Sequence, residues 1–194
     1  MRTMLTVLIA DHDATRATQL EQAFRDQGYA VADVVNSAFE LAAAVAKHAP
    51  DIIIMGTDSP DRDTLEHLCI ATRDCPRPVV MFTPDNASES IRAALKAGVS
   101  AYVVDGLDTE RIRPILEVAR VRFEEHQLLL QAATETARKV HERNVIDAAK
   151  SKLMAHQGLS EDAAYHAMRR AAMSENRRLV EIAESILQQL GQHG

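Results

Sequence analysis

Carboxylates stand where apolar runs end. Asp11-His12-Asp13 follow the β-branched run 6–10, and Asp58 follows the run 51–55. Oxygen ligands gathered at such points can hold a hard divalent cation. Each is more simply read as a solvated turn acid or a helix N-cap. Thr83 and Asp105 end two later apolar runs, and Tyr102 lies within the second of them. Thr83 and Tyr102 suit packing of a sheet and the face beside it. Cys69 and Cys75 have no second pair to complete a metal site and read as reduced, partly buried thiols.

The elements that must position these residues alternate. Strands are expected at 6–10, 30–35, 51–55, 78–82 and 100–104. Between them lie a helix running to Gly28, one opened by Ser37 with Glu40 completing a capping box, one after Pro60, and one at 86–96 stopped by Gly98. The strands are nearly continuous in apolar residues, as a parallel sheet covered on both faces requires. Such a doubly wound α/β sheet opens its crevice at the carboxyl ends of the strands.

From Asp108 the chain restarts as a helix, with Pro114 tolerable only near the first turns. Leu116, Ala119, Phe123, His126, Leu130, Ala133, Ala137 and Val140 then recur in steps of three and four, a heptad seam. A lone helix of this length is marginal in water, so the seam is expected to be buried. A two-fold partner is the simplest cover, and the chain's own sheet domain or output helices are the alternative. His126 on that seam is a polar layer or a hydrogen-bonded core histidine. A further helix at 140–156 closes at Gln157-Gly158. Ser160 caps the next, with Glu161 and Asp162 in its first turn. Ser174 is expected to cap a third, 175–190, whose Leu179, Ile182, Ala183, Ile186 and Leu187 form one apolar face.

Charge is unevenly placed. The chain carries −6 in all; residues 1–137 hold thirteen Lys or Arg against twenty-one Asp or Glu, whereas 138–194 hold nine against seven. An acidic total argues against indiscriminate nucleic-acid binding, and the asymmetry directs a nucleic-acid partner to the C-terminal part. No apolar run approaches the roughly 20 residues of a membrane span and no secretory pattern opens the chain, so a soluble cytoplasmic protein is expected.

Residues 1–120 resemble a response-regulator receiver domain, which implies a flavodoxin-like, five-stranded fold. Receivers hold Mg²⁺ with two adjacent acids, phosphorylate an Asp after the third strand, and sense the phosphoryl group with a Ser or Thr and a Lys. Here Asp11 keeps the first acidic position, but His12 takes the second, Gly56 the phosphoacceptor position and Asp105 that of the lysine, while Thr83 is kept. Glycine has no oxygen to attack a phosphoryl donor, neutral imidazole suits Mg²⁺ poorly, and aspartate repels phosphate. The pocket therefore reads as degenerate, with Asp58 a weak substitute acceptor.

Ala149-Lys150, Leu153-Met154, Gly158-Leu159-Ser160, Ala164-Tyr165, Met168-Arg169, Ala172-Met173 and Asn176 resemble the ANTAR domain, an RNA-binding antitermination module, over 138–190. Ser151 and Ala148 depart from its usual glycine and basic residue. A coiled-coil linker helix at 108–140 would join the two domains. The resemblance implies a homodimer, without catalysis, metal or cofactor, that captures tandem hexaloop stem-loops in a leader mRNA and so blocks a terminator hairpin. Lys150, Lys152, Arg169, Arg170, Asn176 and Arg177 are the candidate RNA contacts, against ordinary solvated helix positions. Tyr165 is a base-stacking platform or a rim aromatic. The segment 58–66 resembles the NasT group, which controls nitrate and nitrite assimilation and is held inactive by a nitrate-sensing partner protein rather than a kinase. The competing reading is a phosphorylation-dependent two-component regulator whose output binds DNA or docks a protein.

Overall fold

The computed structural model describes residues 4–104, 106 and 108–191. Asp105, expected in the crevice, lies outside the described residues. The apolar runs form β1 (Thr6–Asp11), β2 (Ala30–Val35), β3 (Ile52–Gly56), β4 (Val79–Thr83) and β5 (Ala101–Val104), all parallel, in the order β2-β1-β3-β4-β5. The helices between them are α1 (Ala14–Asp26), α2 (Ala38–His48), α3 (Arg62–Arg73) and α4 (Ser88–Lys96), and α5 (Thr109–Gln157) follows.

Alternation along the strands feeds two cores. Val7 and Ile9 of β1 pack with Leu20 and Phe24 of α1 and with Ile112, Leu116 and Ala119 of α5. Leu8 and Ala10 face the other way, onto Leu41 and Val45 of α2 and Leu68 of α3. This is a doubly wound sheet whose strand order reverses between β1 and β3, and Asp11 pairs with Gly56 in register there.

Leu116 and Ala119 were expected on a seam covered most simply by a two-fold partner; instead they follow the alternative and are buried in this sheet domain, at 2% and 0% exposure. The reason is that the first turns of α5 cover one face of the sheet, and full burial of a leucine contributes about 1.5–3 kcal/mol. Pro114 is the sixth residue of α5, near enough to the first turns to be accommodated. Two local expectations also change. The Ser37 hydroxyl accepts from the Phe39 N–H, without a return contact from the Glu40 side chain. The α4 helix begins at Ser88, because Asp85 accepts from the Ala87 N–H and holds the preceding turn.

The chain divides into Met1–Gln127 and Leu128–Gly194, and α5 contributes to both. In the second unit α5 is followed by α6 (Glu161–Glu175) and α7 (Leu179–Gly191). Gly158 takes φ +65° after α5, and Ser160 caps α6 by accepting from the Ala163 N–H. Ser174 caps nothing. It lies within α6 and donates to the Ala171 carbonyl, and the helix ends at Glu175, capped by Asn176 in the left-handed conformation (φ 51°). Asparagine tolerates that conformation, so the break falls there rather than at the serine. The Glu181 carboxylate then accepts from the Arg178 N–H at the start of α7. The core of this unit is Ala149, Leu153, Ala164, Met168, Ala172, Ile182 and Ala183. Four of these seven core residues are alanines.

Candidate functional site

The β1/β3 crevice is built by one strand end, one helix start and one loop. Asp11 closes β1 and is 3% exposed, so it is not the solvated acid expected. Asp13 caps α1, accepting from the Thr15 and Arg16 N–H groups. That cap places Arg16 in the first turn, beside the crevice. Arg16 grips Asp11 with two donors, Nε to Oδ2 at 2.6 Å and Nη2 to Oδ1 at 2.9 Å, and the Asp13 N–H also reaches Oδ1 at 2.9 Å. The remaining arm of the guanidinium, Nη1, contacts Asp58 Oδ1 at 2.5 Å, and His12 Nε2 lies 3.4 Å from Asp58 Oδ2. The contact with Asp11, foremost, raises the Arg16 pKa, and the hydrogen bond from Arg16 holds the Asp58 carboxyl below its ordinary range.

Gly56 sits inside this arrangement. A Cβ added there would fall 1.8 Å from Asp11 Oδ2 and 2.6 Å from Asp11 Cγ. The Asp11 carboxylate therefore fills the space that a side chain at position 56 would need. Thr83 at the end of β4 is buried; its hydroxyl donates to the Asp58 carbonyl (3.1 Å) and accepts from the Asp85 N–H (3.1 Å). Tyr102 donates to the Asp85 carbonyl at 2.9 Å. Both residues thus tie loops together in addition to packing.

The Mg²⁺ that receivers carry does not fit these residues. Both Asp11 oxygens face Arg16, position 56 offers no side-chain oxygen, and His12 is directed to Asp58. Sequence reasoning missed Arg16. The detectable signal was a cation in the first turn of a helix, where the dipole disfavours positive charge unless a carboxylate is near.

The nominated residues of the second unit separate into two groups. Lys150, at 17% side-chain exposure, lies 2.7 Å from Asp147 Oδ1 and 2.8 Å from Glu161 Oε1. Arg177 contacts Glu175, Glu181 and Ser185, and Asn176 forms the left-handed cap of α6. Lys152, Arg169 and Arg170 are exposed and have no ion pair or hydrogen bond among the described residues. On α6, Arg169 is four residues from Tyr165, and Met173 is four further on; Tyr165 is 39% exposed and Met173 74%. This spacing puts an aromatic ring, a guanidinium and a thioether on neighbouring turns of one surface.

On the α5 seam the remaining nominees fall outside the sheet core. Phe123 is half-buried and His126 exposed. Leu130 (48%) and Val140 (55%) are exposed within their own unit, as are Leu128 and Leu129 beside them.

Residues 7–117 match the response regulator receiver domain, and residues 134–187 match the ANTAR domain. The transcriptional regulatory protein PdtaR of Mycobacterium tuberculosis is 27% identical over 185 residues, covering 95% of this chain and 90% of that protein. A nitrate regulatory protein of Klebsiella oxytoca is 37% identical over 75 residues, 39% of this chain and 19% of that protein. The signal receiver domain of a modulated diguanylate cyclase from Desulfovibrio desulfuricans aligns with a TM-score of 0.57 at 18% identity, over 64% of this chain and 99% of that one, a likeness of fold. No helix among the described residues is long and apolar enough to cross a membrane.

Proposed function

Since the chain belongs to the response regulator receiver family and carries an ANTAR domain behind its receiver, we propose that it is an RNA-binding antitermination regulator. A dimer captures tandem hexaloop stem-loops of a cytoplasmic leader RNA and keeps the overlapping terminator hairpin from forming. The observation that carries this reading is the exposed α6 surface, where Arg169 and Arg170 have no partner among the described residues and lie near Tyr165. Single-stranded loops are held by just such a mixture, with cations for phosphates and a ring for an unstacked base.

Control comes from a partner protein instead of a kinase. Gly56 removes the acceptor, and binding energy from a partner can select between states as a phosphoryl group would. The partial likeness to a nitrate regulatory protein, and the likeness of residues 58–66 to the NasT group, support a nitrate-sensing inhibitor and a nitrate or nitrite assimilation operon. Gel shifts test the RNA reading: the protein should bind a two-stem-loop RNA more tightly than a single loop, and duplex DNA only weakly. Equal binding to all three nucleic acids would refute it.

A further inference from the structure

The receiver crevice holds a cation of its own, whatever the second unit binds. We propose that Arg16 is a built-in substitute for the metal ion of a receiver crevice, clamping the end of β1 to the β3–α3 loop in one arrangement that neither divalent cation nor phosphodonor can reset.

Geometry carries this. The Arg16 guanidinium makes a two-pronged contact with a nearly fully buried carboxylate, the strongest form of such a pair, and its third donor crosses to Asp58. It therefore joins the end of β1 to the loop that follows β3. The two arms differ in strength. Asp11 is enclosed, whereas Asp58 is 68% exposed, so the outer contact is weakened by water and salt while the inner one is not. Asp58 also accepts from Thr83 through its backbone carbonyl, and Thr83 is joined to Asp85, which Tyr102 holds. The clamp thus reaches the residue at which a receiver would sense a phosphoryl group.

Restoring the carboxylate by Gly56→Asp should not restore a metal site, because the new Cβ would meet the Asp11 carboxylate that Arg16 and the Asp13 N–H hold in place. Removing Arg16 as well should free Asp11 to share a cation with the new aspartate.

Mn²⁺ titration by calorimetry on the full chain separates these outcomes. The parent and Gly56→Asp should show no saturable millimolar or tighter site, and the Arg16→Ala/Gly56→Asp double variant should bind at least about tenfold more tightly than Gly56→Asp. Gly56→Asp binding as well as the double variant, or a folded double variant with no site, overturns the proposal. Saturable binding by the parent overturns it without any variant. Arg16→Lys, which keeps the charge but not the fork, provides a further measurement should the alanine variant unfold. Amide exchange at Asp13 and Thr57 should rise roughly tenfold in it. Unchanged exchange there shows that no clamp exists.

Discussion

Lys150 holds its ammonium between Asp147 and Glu161, and the hydrogen bond to Asp147, followed by that to Glu161, pushes its pKa up to about 12. A cation shared by two carboxylates has less field to offer a phosphate than the unpaired Arg169. Arg169→Ala should therefore weaken binding of a tandem hexaloop RNA by about 1–3 kcal/mol if the side chain reads a base. Lys150→Ala should lower the melting midpoint of the second unit and leave the salt dependence of RNA binding unchanged. Fluorescence titration and thermal melts of both variants check this, and the reverse pattern would assign the phosphate contact to Lys150. In the crevice, Arg16 sets a pH response. The folded pKa of Asp58 lies below the ordinary 3.8, so its contact contributes stability above that value and loses it as pH falls through the lower one. Stability from this pair should consequently be flat from roughly pH 5 to 8. Carboxyl NMR titration should place the Asp58 midpoint below 3.8 and return it toward 3.8 in Arg16→Ala; a parent midpoint at 3.8 would mean the contact is not made in solution.

At the scale of elements, α5 divides one heptad pattern between two environments. Leu116 is enclosed by the sheet domain, whereas Leu130 is exposed within its own unit. Leu116→Ala should destabilise the first unit by about 2–5 kcal/mol without changing the oligomeric state. Leu130→Asp should convert a dimer to monomers while the first unit melts normally. Sedimentation and calorimetry distinguish them; a parent monomer, or a Leu130→Asp dimer, sinks the seam as an interface. The same helix shows what the sequence could and could not disclose. Nearly continuous apolar runs carried the strands and a period of 3.6 the helices, since burial writes itself into residue spacing. A heptad step cannot say which body covers it, because Leu116 and Leu130 are chemically alike and only the fold distinguishes their neighbours. Ser174 and Asn176 illustrate the same limit at a helix end, where two capping residues compete and the backbone adopts the left-handed turn at the one that tolerates it. In the crevice, the loss of an acceptor at Gly56 was legible from residue type. The Asp11–Arg16 pair was not, because it depends on register and on where a helix begins.

One chain carries an acidic stretch, residues 1–137, and a mildly basic one, residues 138–194, and this division of charge has a measurable consequence. With residues 1–137 strongly acidic, weak contact with arbitrary RNA is opposed by repulsion, and affinity must come from the few cations left unpaired in residues 138–194. Lys152, Arg169 and Arg170 are three such cations per module. For single-stranded nucleic acid the logarithm of the binding constant falls with that of salt by about 0.7 per neutralised phosphate, so one module on one loop should give a slope near −2. Two modules of a dimer on tandem loops should give about −4, with the same loops presented singly returning the smaller value. Titrations at several salt concentrations with one- and two-loop RNAs measure both slopes on the intact chain. Equal slopes would mean that only one module engages RNA, and the tandem arrangement would lose its rationale. A slope much steeper than −4 would mean that Lys150 and Arg177 leave their carboxylates to meet phosphate, giving the module a larger contact surface than its unpaired cations provide.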